Sequence, residues 1–501
     1  VSTKLSPGLQ LLTLLLLTPL VACTVVGPDF TRPEPVKHPD WVQSLDEGLQ
    51  PSPVDSTAWW RFFNDPVLDK LVAAVLRGNN DLEIAALRVL EAKAALAIAT
   101  GQQYPQAQFA TGSATLVSPP RDNLVSKDRW QYGLGASMAW ELDFWGRFQR
   151  GIEAADANYL ASTATYHQAA VLLTASVVDL YTALRTLEEQ LRIAHENVAL
   201  QQRSFRITQV NFSNGADSEL DVQQARTQLL STEASIPALE ASIAQTRNAL
   251  SALLGSAPGS VDALLTSDRG IPEVPNNLAI GIPADLLRRR PDVRAAEYLA
   301  AAQSAVVGVA EAALYPSFSL NGAVSLSAGG LGDSHFGDLF DSDAIGGTAG
   351  VSMLWPFLNY GRIKNAVRVQ DARLQQALLN FVETTVVAAR EVEDAMAALI
   401  GARRQVKILT ETVAAARRAH EISTLRYAEG YANFERVLRS QQALFAQQQR
   451  LVNGRGDVAR AMVALYRALG GGWEGSLVSP ALDEATAEAL RARTDWGDLI
   501  Q

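Results

Sequence analysis

The sequence predicts an α+β membrane protein assembled from two copies of one design, each ordered as helix, two β-strands and a long helical hairpin. Residues 76–112 match residues 287–323 at an offset of about 211, which becomes about 215 further along the chain. Segments of period-two hydrophobicity fall at the same place in both copies. After each pair of strands, apolar residues recur at heptad spacing.

The chain has 501 residues, of which 48% are hydrophobic and 19% charged, enough to bury a large core. Its formal charge of -10 and lack of Lys/Arg blocks exclude a nucleic-acid partner, whose phosphates need a basic footprint. Lys4 precedes an apolar run over residues 9–22, interrupted by Gln10, Thr13, Thr18 and Pro19. As a helix this run spans roughly 21 Å, short of the roughly 30 Å hydrocarbon core. Residues 1–22 are therefore expected to be a signal peptide rather than a membrane span.

Leu20-Val21-Ala22-Cys23 resembles a bacterial lipobox, in which cleavage before the Cys is followed by its acylation. Cys23 is the one cysteine of the chain, so it has no intramolecular disulfide partner. The expected covalent group is a lipid on Cys23, with no other cofactor. Thr24 follows it rather than the Asp that favours inner-membrane retention in lipoproteins, so sorting to the outer membrane is allowed.

The repeats divide the chain into a lipidated extended segment (residues 23–64), repeat one (65–255), a Pro/Gly-rich equatorial linker (256–283), repeat two (284–470) and a C-terminal equatorial tail (471–501). Residues 65–100 read as one helix, rich in Ala, Leu, Glu and Arg and ended by Tyr104-Pro105. Residues 132–142 alternate, with Tyr132, Leu134, Ala136, Met138, Trp140 and Leu142 on one face. Residues 317–327 set Phe318, Leu320, Val324 and Leu326 against Ser317, Ser319, Asn321, Ser325 and Ser327. A soluble sandwich would alternate in the same way. Strands of about ten residues also fit a tilted bilayer span, and membrane sheets must close. Four strands cannot close around a pore, so several protomers must contribute.

Residues 146–214 contain no proline and would reach about 100 Å as one helix. Leu173, Val177, Leu180, Leu184, Leu187, Leu191, Ala194 and Val198 make a coiled-coil seam, which copy two repeats with Val392, Ala395, Leu399, Ala402, Val406, Leu409 and Val413. Gly215 and Gly430 are the expected turns, after which helices return to Leu254 and Leu469. Pro237 is expected to kink or interrupt the first return helix.

Several motifs carry a family resemblance: the run from Cys23 to Pro33, Trp59-Trp60 with Phe63, the Leu-Arg-Arg-Arg-Pro-Asp-Val-Arg-Ala-Ala-Glu run of residues 287–297, and the duplicated Tyr-Pro and Gly-Arg pairs. Together they resemble the TolC-like outer membrane factor family, in its NodT-like lipoprotein branch, over essentially the whole mature chain. The resemblance implies a homotrimer whose strands close one twelve-stranded barrel, continued by a coiled-coil α-helical barrel across the periplasm. It further implies an outer-membrane exit duct that passively conducts small molecules. Its partners would be a periplasmic adaptor (membrane fusion) protein, an inner-membrane efflux pump and outer-membrane lipid, with Gly215 and Gly430 at the adaptor-contacting tips.

By the same resemblance a periplasmic gate is closed by polar links between hairpins, and Asp221 and Tyr427 fall at two of its positions. The alternative is that both are solvated tip residues. The chain departs from the family where two acidic rings are expected, since Arg436 and Arg439 stand there. Facing a lumen they would favour anions; facing outward they would pair with Glu435 or a neighbouring helix. No G-x-S-x-G, H-E-x-x-H or Walker A pattern suggests an enzyme or a metal site. The rival class is a lipid-anchored structural or adhesive coiled-coil protein without a pore, which leaves the duplicated strands unexplained.

Overall fold

The computed structural model describes residues 25–33, 41–42, 49–51, 57–118, 128–265, 269–280, 289–329, 335–473 and 480–500. The expected signal peptide and Cys23 lie outside the described residues.

Copy one opens with helices α1 (Pro66–Gly78) and α2 (Asn80–Gly101) after a short strand β1 (Leu49–Pro51). The single helix expected over residues 65–100 is therefore two. Asn79 is the reason: its N–H bonds to Val75 O, which ends α1, while its side chain accepts from Leu82 N at 2.9 Å and so caps α2. Asp65 caps α1 by accepting from Val67 N, with Pro66 at the first helical position. Strands β2 (Ala107–Val117) and β3 (Arg129–Leu142) follow, then the hairpin of α3 (Arg147–Ser213) and α4 (Glu219–Leu253).

Copy two repeats the order after the strand β4 (Leu278–Ile280), which pairs in parallel with β1. It holds α5 (Pro291–Ala312), β5 (Ser317–Ala328), β6 (Ile345–Leu354), and the hairpin of α6 (Arg362–Ala428) and α7 (Phe434–Ala468), before the tail helix α8 (Glu484–Arg493). The outgoing helices α3 and α6 are both 67 residues long and the return helices α4 and α7 both 35. The duplication is thus matched residue for residue where the rods must share a length. Glycine starts both outgoing helices in the left-handed region, Gly146 at φ 74° and Gly361 at φ 81°. Pro237 lies inside α4, which runs through it rather than breaking. Loss of one helical hydrogen bond at Pro237 is tolerated because the rod is packed along its length on α3.

The four strands form one antiparallel sheet in the order β2-β3-β5-β6. Its centre, β3 against β5, joins the two copies, with Leu134 opposite Leu326 and Trp140 opposite Leu320. The outer edges of β2 and β6 have no strand beside them among the described residues. The main core lies midway along the rods, where Trp59, Trp60 and Phe63 pack with Leu68, Leu71, Val72, Val177, Tyr181, Leu184, Met396, Leu399, Met462 and Tyr466. Trp59 stacks on Tyr466 at 5.4 Å, and the Tyr181 hydroxyl donates to the buried Asp65 carboxylate at 2.5 Å. This belt ties both hairpins to the N-terminal segment.

Candidate functional site

Opposed residues in an antiparallel sheet share a face, so the register sorts every side chain of the sheet. One face carries Leu116 and Trp130, Leu134 with Leu326 and Ile345, Ala136 with Val324, Met138, Trp140 with Leu320 and Val351, and Phe318 with Met353. Most of these apolar side chains are exposed, Val351 by 71% and Ile345 by 62%, while Trp140, Phe318, Leu320 and Leu326 are half-buried. A continuous uncovered apolar face requires a nonaqueous neighbour. The other face carries Thr111, Gly135, Ser325, Gly346, Ser137, Thr348, Asn321, Ser319 and Ser352, with Phe109 as a large apolar exception within it and Val117 and Leu354 at strand ends. Strands of 10 to 14 residues at a barrel tilt span an apolar band of about 25 Å.

Aromatic residues bound that band at both ends, the pattern of a membrane–water interface. Trp130 stacks on Tyr132, which meets Phe336 edge-on at 5.7 Å. At the helical end Trp145 stacks on Tyr315 at 4.6 Å and donates its indole N–H to Pro316 O at 2.8 Å. Both copies repeat one clasp there: Trp140 donates to Gln103 O and Trp355 to Leu314 O, each at 3.1 Å.

The N-terminal segment crosses this collar as a strap. Val26 N bonds to Trp145 O, and the buried Arg150 guanidinium donates to Val26 O, Gly27 O and the Asp29 carboxylate at 3.1, 3.2 and 2.7 Å. Gly27 sits at φ 91° with its α-carbon so close to α5 that an added Cβ would lie 2.3 Å from the Gly308 Cα. Only glycine satisfies both constraints. Arg32 closes the strap onto Glu297, with Nη2 to Oε2 at 2.8 Å.

At the far end the hairpins turn at Gly215 (φ 77°) and Gly430 (φ 79°). Tyr427 near the end of α6 reaches hairpin one, where its hydroxyl donates to Asp217 Oδ2 and accepts from Asn211 Nδ2 at 2.9 Å. Burial first, and the Asp217 carboxylate second, hold the Tyr427 hydroxyl above the ordinary tyrosine range. Its ring meets Phe434 edge-on above a cluster of Phe205, Ala225, Val437 and Leu438, so all four rods converge under the clasp.

Within the chain Tyr427 does not meet Asp221, the other residue expected at the gate. Asp221 is the N3 residue of the α4 capping box: it accepts from Ser218 N and Oγ while Ser218 Oγ accepts from Asp221 N. Asp217, four residues earlier in the tip loop, is free of that duty. The turn Asn214-Gly215-Ala216-Asp217-Ser218 held the signal, but a capping-box aspartate and a loop aspartate look alike until the helix start is known. Arg439 pairs with Glu435 at 2.5 Å on the exposed side of α7, and Arg436 is exposed beside it. Among the described residues no group of His, Cys, Asp and Glu could hold a metal ion.

Comparison with known proteins agrees with this geometry. The family model described as outer membrane efflux protein matches residues 71–256 and 282–471, one match on each copy. The pyoverdine export outer membrane protein OpmQ of Pseudomonas putida is 33% identical over 425 residues, covering 83% of this chain and 88% of that one. The probable outer membrane lipoprotein SilC of Salmonella typhimurium is 29% identical over 470 residues, covering 93% and 99%. The solved outer-membrane channel OprN superposes with a TM-score of 0.83 at 32% identity over 90% of this chain and 100% of that one, and CusC with 0.77 at 26% over 90% and 100%. An apolar sheet face bounded by aromatics, a polar face behind it and paired rods below are what such a channel requires, and the chain belongs to the outer membrane efflux protein family as an outer-membrane exit duct.

Proposed function

We propose that three copies close one barrel and one helical tunnel, and that the duct receives its cargo from an inner-membrane pump through a periplasmic adaptor at the Gly215 and Gly430 tips. The observation that carries this is the four-stranded sheet with two open edges and one lipid-compatible face, because such a sheet is satisfied in a membrane only by closure. The tips also expose Phe212, Leu220, Leu425 and Tyr431, an apolar surface suited to a protein partner. Conduction is passive in this reading, and the pump supplies energy and cargo choice. Relatives of similar identity are named for a pyoverdine, a cation and toluene, which supports leaving the choice among cargo classes to the pump.

The periplasmic end opens when the Tyr427 clasp on Asp217 and Asn211 is released. Asp221 acts beside it by holding the start of α4. The Arg439 charge is balanced by Glu435, so Arg436 is the residue that gives the mouth an anion preference. Cys23 carries the lipid. Val25 is held at the aromatic collar, and two extended residues reach about 7 Å, which keeps an acyl chain on Cys23 at the membrane surface.

Planar-bilayer recording under a salt gradient tests the proposal, with Arg436→Glu beside wild type. The reversal potential of the variant is expected to move toward cations. An unchanged reversal potential removes Arg436 from the conducting path, and absence of steps from inserted trimers removes the duct.

A further inference from the structure

Among the described residues the seam between copy one and copy two is filled within one chain, whereas the opposite seam, between copy two and the next copy one, is uncovered. On α3 the residues Ala154, Ala164 and Val171 are buried. Their counterparts on α6, at the offset of about 215, are Val369, Leu379 and Val386, exposed by 49%, 59% and 45%. The same asymmetry holds at the collar. Trp145 of copy one stacks on Tyr315 of copy two, but its counterpart Tyr360 is 96% exposed, and Tyr104, the counterpart of Tyr315, is 65% exposed. Tyr360 also holds a left-handed backbone at φ 50°, costly for a large side chain, with no ring contact among the described residues to offset it.

We propose that Tyr360 of one copy stacks on Tyr104 of a second copy and donates its hydroxyl to the second copy's Pro105 carbonyl, repeating between chains the Trp145–Tyr315–Pro316 arrangement inside the chain. This rests on the trimer proposed above and names the residues by which its protomers meet. The occupant is a second copy of this chain because only that copy carries the matching half: α2 in place of α5, and Tyr104-Pro105 in place of Tyr315-Pro316. The clasps of Trp140 on Gln103 and of Trp355 on Leu314 hold the two helix ends alike relative to their strands. Equivalence is carried no further than the collar. Beyond it β2 is slipped by one residue relative to β5, since Phe109 pairs with Ser137 on the polar face while its counterpart Leu320 pairs with Trp140 on the apolar one.

In a closed trimer the collar then becomes a ring of six stacked pairs, three within chains and three between them. The strap uses only the seams within chains, because Arg150, which grips it, has Asn365 as its counterpart at the start of α6. At the collar each seam between chains therefore has its aromatic pair without the Arg150-gripped strap, and weakening that pair weakens assembly alongside the strand edges and the apolar face of α6.

The test is cysteine cross-linking in isolated outer membranes with a short bismaleimide, using Tyr104→Cys with Tyr360→Cys in one chain. Dimer and trimer bands on a denaturing gel are expected. Trp145→Cys with Tyr315→Cys should react without any gain in mass, and each single substitution should give no ladder, which also accounts for Cys23. Light scattering of the detergent-purified protein is read in parallel. Trimers without the ladder would overturn the stack and leave the trimer standing, and a wild-type monomer would overturn both. Tyr360→Ala gives a second reading: its trimer should dissociate on a gel at a lower temperature than wild type, and an unchanged temperature counts against the stack.

Discussion

Tyr427→Phe deletes one oxygen from the hairpin tip and leaves the ring on Phe434 in place. Two hydrogen bonds across the hairpins are lost, a neutral one from Asn211 at 2.9 Å and a charge-assisted one to Asp217. A neutral bond is worth about 0.5–1.5 kcal/mol and one to a charged group about 1.5–3 kcal/mol. All three residues are half-buried, so water competes and the lower end of each range applies, about 2 kcal/mol together. At about 1.4 kcal/mol per decade, separation of the tips should become roughly 30-fold more populated. Hydrogen exchange of the backbone amides around residues 205–216 and 422–431 should accelerate by that factor, with the mid-rod core unchanged. Asp221→Ala should act on the first turn of α4 alone, because its bonds are to Ser218. Equal acceleration of hairpin two by Asp221→Ala, or no acceleration by Tyr427→Phe, would refute the assignment of the clasp.

Gly27→Ala forces a Cβ against the Gly308 backbone in a left-handed conformation and should cost about 1–3 kcal/mol, read as faster proteolysis of residues 25–33 in folded protein. On the apolar face, Val351→Arg should lower barrel stability by up to about 4 kcal/mol in a folding titration into vesicles, while Ser325→Arg on the polar face should cost far less. Burial holds the His420 imidazole, whose Nδ1 meets Ser440 Oγ at 3.3 Å, below its ordinary value of 6.5. The folded state therefore binds its proton less well than the unfolded one, and the contribution is present above about pH 6.5 and lost as pH falls below it. Exchange around residues 416–424 should quicken on acidification, and His420→Gln should abolish that dependence.

Much of the architecture was legible because it is periodic. The heptads of Leu173 to Val198, the alternation of Phe318 to Ser327 and the glycines at 215 and 430 are local patterns, and the duplication checks each against its twin. What escaped the sequence depends on which of two similar residues wins a contact. Asn79 splits a helix whose composition is uniform, since its cap outcompetes continuation. Asp217 takes Tyr427 because Asp221 is occupied by its own helix start. Arg150 looks like any helix arginine until the strap lies on it, a contact across more than 120 residues that no local pattern encodes.

The measurement that bears most directly on a conducting, clasped duct is single-channel recording of the purified protein in planar bilayers, wild type against Tyr427→Phe. Discrete steps in the wild type, larger or more often open in the variant, are the expected result. Inserted trimers that pass no current in either form would contradict it and leave a lipid-anchored coiled-coil scaffold without a pore.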